Sequence, residues 1–186
     1  MTSEQANRVG EVTVPEARLT ATGSGLVPAG EGWFIVNFAD ALGFRSERFG
    51  AAVRFEGDAQ FPGLAFNVRV LQPGQPNCLY HRESQTEVFL VLDGECMAIV
   101  EEQERSMRKG DFLYAPPGTA HVFVGAGDGP CAIAMVSTRI MPEELLYPVS
   151  EAAGRHRASV TEETASADEA YAGSPPRESV RLELPW

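Results

Sequence analysis

Between Asn77 and Thr138 short apolar runs alternate with turn-forming residues in a regular rhythm. Runs of strand length fall at Cys78–Arg82, Glu87–Leu92, Cys96–Val100, Arg105–Arg108, Asp111–Ala115, Ala120–Val124 and Cys131–Thr138. They are separated by Glu83–Gln85, Asp93-Gly94, Glu101–Glu104, Lys109-Gly110, Pro116-Pro117-Gly118-Thr119 and the loop Gly125–Pro130. Asp-Gly is a hairpin signal, and short strands with a turn every ~8–12 residues predict an antiparallel sandwich or barrel. Upstream, Trp33–Phe38 predicts a strand apolar on both faces, with a short helical turn at Ala39–Leu42. Ala51–Phe55 and Leu64–Leu71 predict two more strands. In the latter, Ala65, Asn67 and Arg69 alternate with Leu64, Phe66, Val68 and Val70. Val88–Leu92 is apolar throughout, which predicts cover on both faces, by the core and by another sheet or subunit.

After Arg139 the pattern changes. Pro142–Leu146 predicts one or two helical turns, with Pro at the start and acids in the first turn. Ser166-Ala167-Asp168-Glu169 has capping-box spacing and predicts a short helix through Tyr171, ended by Pro175-Pro176. The chain therefore divides into an N-terminal arm and edge segment (1–32), a β-barrel (33–140) and a C-terminal appendage, partly helical or disordered (141–186). Residues 1–15 are expected to form a loose polar arm. His156, between Arg155 and Arg157, is expected in solvent.

Composition narrows the class. The 186 residues, 44% hydrophobic, suit one domain with a real core, and 13 Pro with 18 Gly favour turns over long helices. No run approaches the ~18 apolar residues of a membrane span. The N-terminus lacks the basic start and apolar run of an export signal, so a cytoplasmic protein is expected. A formal charge of −11 repels nucleic-acid phosphates and anionic lipid, so neither is an expected partner. Cys78, Cys96 and Cys131 lack CxxC spacing and read as buried free thiols in a reducing compartment.

Two motifs carry the candidate chemistry. The first is Gly74, six residues, His81-x-Glu83, three residues, Glu87, six residues, Gly94. The second is Gly110, five residues, Pro116-x-Gly118, two residues, His121. Together they resemble the two motifs of the cupin superfamily over about residues 60–140. The second motif matches except at its last position, where Gly125 replaces the family's Asn. The resemblance, to small single-domain cupins, implies an all-β fold: a double-stranded β-helix, or jelly-roll barrel, with a short C-terminal helical appendage. In the first motif two registers fit. One places Tyr80 and Arg82 in the family's two histidine positions, the other His81 and Glu83. The second is preferred, because residues two apart share a strand face and the first would put a guanidinium where a cation belongs.

In that register His81, Glu83, Glu87 and His121 point inward as candidate metal ligands. Imidazole with carboxylate suits Fe(II), Mn(II), Zn(II) or Ni(II). Glu83 is either a fourth ligand or a catalytic general base beside a metal-activated group. Metal affinity is expected to fall with pH as the histidines take up protons. Phe66, Phe89, Tyr114 and Phe123 are candidates for the pocket mouth. Three readings stay open: a metal-dependent enzyme (oxygenase, isomerase or lyase type) on a small polar molecule, a non-catalytic small-ligand-binding barrel, and a metal-free barrel with the four side chains hydrogen-bonded together. The apolar Val88–Leu92 and Trp33–Phe38 segments, and the family's habit, predict a homodimer.

Overall fold

The computed structural model describes residues 14–57 and 59–182; most of the polar arm expected at 1–15 lies outside them. Its strands are β1 (Arg18–Thr22), β2 (Gly25–Ala29), β3 (Leu42–Ser46), β4 (Gly50–Arg54), β5 (Leu64–Leu71), β6 (Arg82–Glu83) and β7 (Glu87–Asp93). They continue with β8 (Glu95–Val100), β9 (Gln103–Arg108), β10 (Phe112–Ala115), β11 (His121–Ala126), β12 (Cys131–Thr138), β13 (Leu145–Leu146) and β14 (Glu178–Val180). Two short helices, α1 (Glu151–Arg155) and α2 (Ala167–Ala170), lie between β13 and β14. A seven-stranded sheet in the order β10-β7-β12-β5-β4-β3-β14 faces a three-stranded sheet, β11-β8-β9. All named strand pairs are antiparallel. The fold is all-β, a double-stranded β-helix. Among the described residues no helix is long and apolar enough to cross a membrane.

The main core fills the space between the two sheets. Phe89 and Val91 of β7, Phe123 of β11, Ile133 and Met135 of β12, and Ala98 of β8 meet there, each strand giving alternate residues to the inside. The outer face of the small sheet is also covered: Ile99, Val122 and Val124 pack on Ala152, Ala153 and Ala158. Helix α1 is held for this contact by Ser150, whose Oγ accepts from the Ala153 amide at 2.9 Å. The helix predicted from the capping box is α2, with Ser166 Oγ accepting from the Glu169 amide. On the large sheet, Val53, Val70 and Phe55 pack against Val36, Phe38 and Leu182.

Two local expectations fail for physical reasons. Trp33–Phe38 forms no strand: Trp33 makes one bridge to Glu16, Phe38 opens a short 3-10 turn through Asp40, Val36 and Phe38 pack on the sheet, and Ile35 is 81% exposed. Pro142–Leu146 is not helical. Its end is β13, paired with β6, and the backbones of Ser84 and Glu144 also bond, with Ser84 Oγ accepting from the Glu144 amide. Within the chain Val88–Leu92 is covered on its core face, and on the other Leu90 is 39% exposed, beside Phe112 and Tyr114 at 61% and 57% on the edge strand β10.

One ion pair ties the β4–β5 connection to the end of β12. Arg139 donates from both terminal nitrogens to Glu56, at 2.6 and 2.9 Å, and to the Phe61 carbonyl at 2.9 Å. Its guanidinium first, and the Phe61 amide as well, hold the Glu56 carboxyl below its ordinary value despite partial burial. The stabilisation is therefore full above the unfolded carboxyl's pKa and fades as pH falls through the lower folded one. Glu56→Gln is expected to cost about 2 kcal/mol near pH 7. Thermal melts of the two proteins should converge as pH falls below the ordinary carboxyl range.

Candidate metal centre

The site is built by an isolated antiparallel bridge. His81 and His121 sit directly opposite and exchange both backbone hydrogen bonds, His81 N to His121 O at 3.2 Å and His121 N to His81 O at 2.8 Å. Opposed residues of such a pair project to the same side of the ladder, and the two rings meet with centroids 4.9 Å apart. Glu87, the first residue of β7, brings its carboxylate to within 3.1 Å of His121 Nε2. One donor atom from each of His81, Glu87 and His121 lies within 4.8 Å of the others. Phe89 walls the site, its ring centroid 5.0 Å from that of His121 and 4.6 Å from that of Phe123.

Hydrogen bonding sets the tautomers. A carbonyl only accepts, so His81 Nδ1, 2.9 Å from Leu79 O, and His121 Nδ1, 3.0 Å from Thr119 O, both carry protons. Each ring therefore presents Nε2 to the interior, the arrangement in which a backbone carbonyl orients a metal-binding imidazole. For His121 to donate to Glu87 as well, its Nε2 must be protonated. Burial opposes that charge, but the Glu87 hydrogen bond and charge outweigh it, so the pKa is raised. His81 behaves oppositely: burial, then the nearby His121, push it down to about 4. Its Nε2 lone pair faces the cavity, with Glu83 Oε2 4.0 Å away, beyond hydrogen-bond reach. With the proton between His121 and Glu87 released, the two Nε2 lone pairs and the carboxylate would form the donor set of a divalent cation.

The four predicted residues do not all converge equally. His81, Glu87 and His121 form the close group, whereas Glu83 lines the same cavity with its Oε1 accepting from Ser137 Oγ at 3.0 Å. Burial, then the charge of Glu87, raise the Glu83 carboxyl to about 7. Burial pushes the Cys78 thiol up to about 12, which keeps it neutral beside His81. His156 lies elsewhere and is not simply solvated: its Nε2 is 3.0 Å from Glu104, in a pair shared with Arg155.

Residues 67–137 match the family model of the cupin domain. Residues 67–137 form a cupin domain. Solved structures similar to it include the polyketide cyclase RemF of Streptomyces resistomycificus, at 14% identity and TM-score 0.51, covering 60% of this chain and 83% of that one. A sugar phosphate isomerase of Silicibacter pomeroyi matches at 24% identity and TM-score 0.49, covering 68% and 79%. A protein of Acidithiobacillus ferrooxidans matches at 20% and 0.43, covering 45% of this chain; the chain spans 55% of that protein's length. At these identities the likeness bears on the fold alone. No curated protein matches the sequence.

Within the cupin barrel, His81 and Glu83 line the cavity while Tyr80 and Arg82 turn away. Tyr80 is buried on the other side, its hydroxyl accepting from the Glu102 amide, and Arg82 is exposed. Gly125, where the cupin motif has Asn, meets the 72–75 turn: a Cβ there would lie 2.2 Å from the Gln72 carbonyl oxygen. Of the four aromatics suggested for the pocket mouth, Phe89 is among the lining residues; Phe66 packs on Phe55, Phe123 is core and Tyr114 is exposed outside. The spacing argument missed Asn67 and Arg69, which line the cavity from β5. Their alternation with Phe66 and Val68 was the available signal.

Proposed function

We propose that His81, Glu87 and His121 hold one divalent cation, of the Fe, Mn, Zn or Ni class, and that the barrel is a metal-dependent enzyme acting on a small polar molecule. The supporting observation is the pair of Nδ1–H···O=C bonds, which turns both Nε2 atoms toward the Glu87 carboxylate. A cation bound there supplies Lewis-acid polarisation of a substrate oxygen. Glu83, outside the close group but in the same cavity, holds or hands over a proton, while Phe89 and the surrounding core exclude water. The His121–Glu87 contact alone would also suit a metal-free, non-catalytic barrel, but that reading leaves His81 Nε2 without a donor.

The test is elemental analysis of the purified protein after reconstitution with each metal in turn, followed by a turnover screen. About one metal per chain with metal-dependent turnover supports the enzyme; bound metal without turnover favours a binding protein. No stoichiometric metal contradicts the site. The three free thiols support a cytoplasmic setting.

The same reading includes a homodimer. The exposed Leu90, Phe112 and Tyr114 form one apolar patch at the β10 edge of the large sheet, and burying such a patch favours association. Light scattering at micromolar concentration is expected to give the dimer mass. A monomer mass would remove this part of the reading.

A further inference from the structure

The cavity that holds the His–Glu–His group is about 190 Å³, with Asn67 and Arg69 of β5 in its wall. Residues two apart on a strand share a face, so both side chains enter from the same side. Asn67 Oδ1 and Arg69 Nε are buried without any hydrogen-bond partner. Among the described residues no carboxylate pairs with Arg69. A half-buried guanidinium with no carboxylate partner and its buried Nε unsatisfied is a costly feature for a fold to keep.

The surroundings make the deficit larger. A second hollow adjoins the first through Asn67 and Arg69 and is also lined by Arg45, Arg54 and Arg177, with no Asp or Glu in its wall. In a chain of net charge −11, this is a local concentration of positive charge, with Arg45, Arg54 and Arg177 on the exposed rim and Arg69 within. Such a cluster draws small anions inward. A guanidinium presents a planar fork that matches a carboxylate through two parallel hydrogen bonds. A hydroxyl beside that carboxylate can satisfy either end of the Asn67 amide. The cavity volume of about 190 Å³ suits a guest of a few carbon atoms.

We propose that the substrate or ligand of this cavity is a small hydroxy acid, its carboxylate bound by Arg69 and its hydroxyl by Asn67. This deepens the proposed function by naming the substrate class of the same site, but the anion subsite can be tested without metal. Lactate, malate, propionate and inorganic phosphate would be titrated into the metal-free full chain by calorimetry, with Arg69→Met and Arg69→Lys in parallel. Each protein would also be assayed for zinc uptake and for melting temperature.

Lactate or malate should bind more tightly than propionate or phosphate, and Arg69→Met should weaken that binding about tenfold or more. Arg69→Lys, which keeps the charge and loses the fork, should fall between. Without ligand, Arg69→Met should melt at or above the wild-type temperature, because an unpaired half-buried charge has gone, and its zinc uptake should match wild type. The proposal is overturned if wild type binds none of the acids, if Arg69→Met binds them equally, if phosphate or propionate binds as tightly, or if Arg69→Met melts well below wild type. Acid binding without zinc uptake would sink the metal reading and leave this one standing. Zinc uptake without acid binding would do the reverse.

Discussion

His121→Ala is expected to lose its metal: content after dialysis should fall from about one per chain to near zero. Perturbing a residue that merely orients a ligand typically costs 10–100-fold in affinity, so removing a ligand should cost more than about 100-fold. The position is sensitive because His121 is 2% exposed and contributes both a donor atom and its backbone to the bridge with His81. The backbone bridge survives substitution, so His81 and Glu87 should stay in place but lack a third donor. Circular dichroism would confirm that the variant is folded. A folded His121→Ala protein that retains stoichiometric metal would show that the ion is held elsewhere.

Phe89→Ala is expected to have the largest effect on stability. The ring is 1% exposed and lies between Phe123 and His121, joining the main core to the candidate metal centre. Truncating a buried Phe costs about 3–5 kcal/mol through lost burial and the cavity left behind. For a chain of this size that lowers the melting temperature by roughly 6–20 °C. Metal affinity should also weaken, though less than in His121→Ala, because one wall of the imidazole is removed while every donor remains. Thermal melts and metal titration on the same preparation would separate the two effects. A shift of only a degree or two would mean that the core closes over the gap and the ring does not support the site.

The central strands were legible because turn chemistry and alternation agree there. Gly94 shows why: it sits at φ 72°, and a Cβ would lie 2.4 Å from the Pro130 carbonyl oxygen, so the hairpin glycine is demanded by both conformation and packing. Where tertiary contacts overrode local preference, sequence reading failed. Pro142–Leu146 has the composition of a helix start, yet its backbone is used by Ser84 and β6. Trp33–Phe38 has strand composition but no ladder along its length. Glu178–Val180 extends the large sheet beside β3, a long-range pairing that nothing in its short acidic stretch announces.

The site divides the same way. Motif spacing singled out His81, Glu87 and His121, which the fold brings together, because period-2 geometry and a turn before His121 were enough to aim them inward. It could not separate Glu83 from the close group, since the distinction depends on the hydrogen bond from Ser137, which is distant in sequence. Arg69 was hidden for a different reason. Alternation along β5 distinguishes two faces without saying which one lies inside. Here the apolar face, with Phe66 and Val70, packs outward against Phe55 and the Val36–Phe38 layer, leaving the polar face to the cavity.

The most direct measurement is an anomalous difference map from a crystal of the zinc-loaded protein. A single peak is predicted inside the barrel, about 2.0–2.2 Å from His81 Nε2, His121 Nε2 and a Glu87 carboxylate oxygen. A zinc-loaded crystal with no peak between those three side chains, or with its peak elsewhere on the chain, would contradict the account.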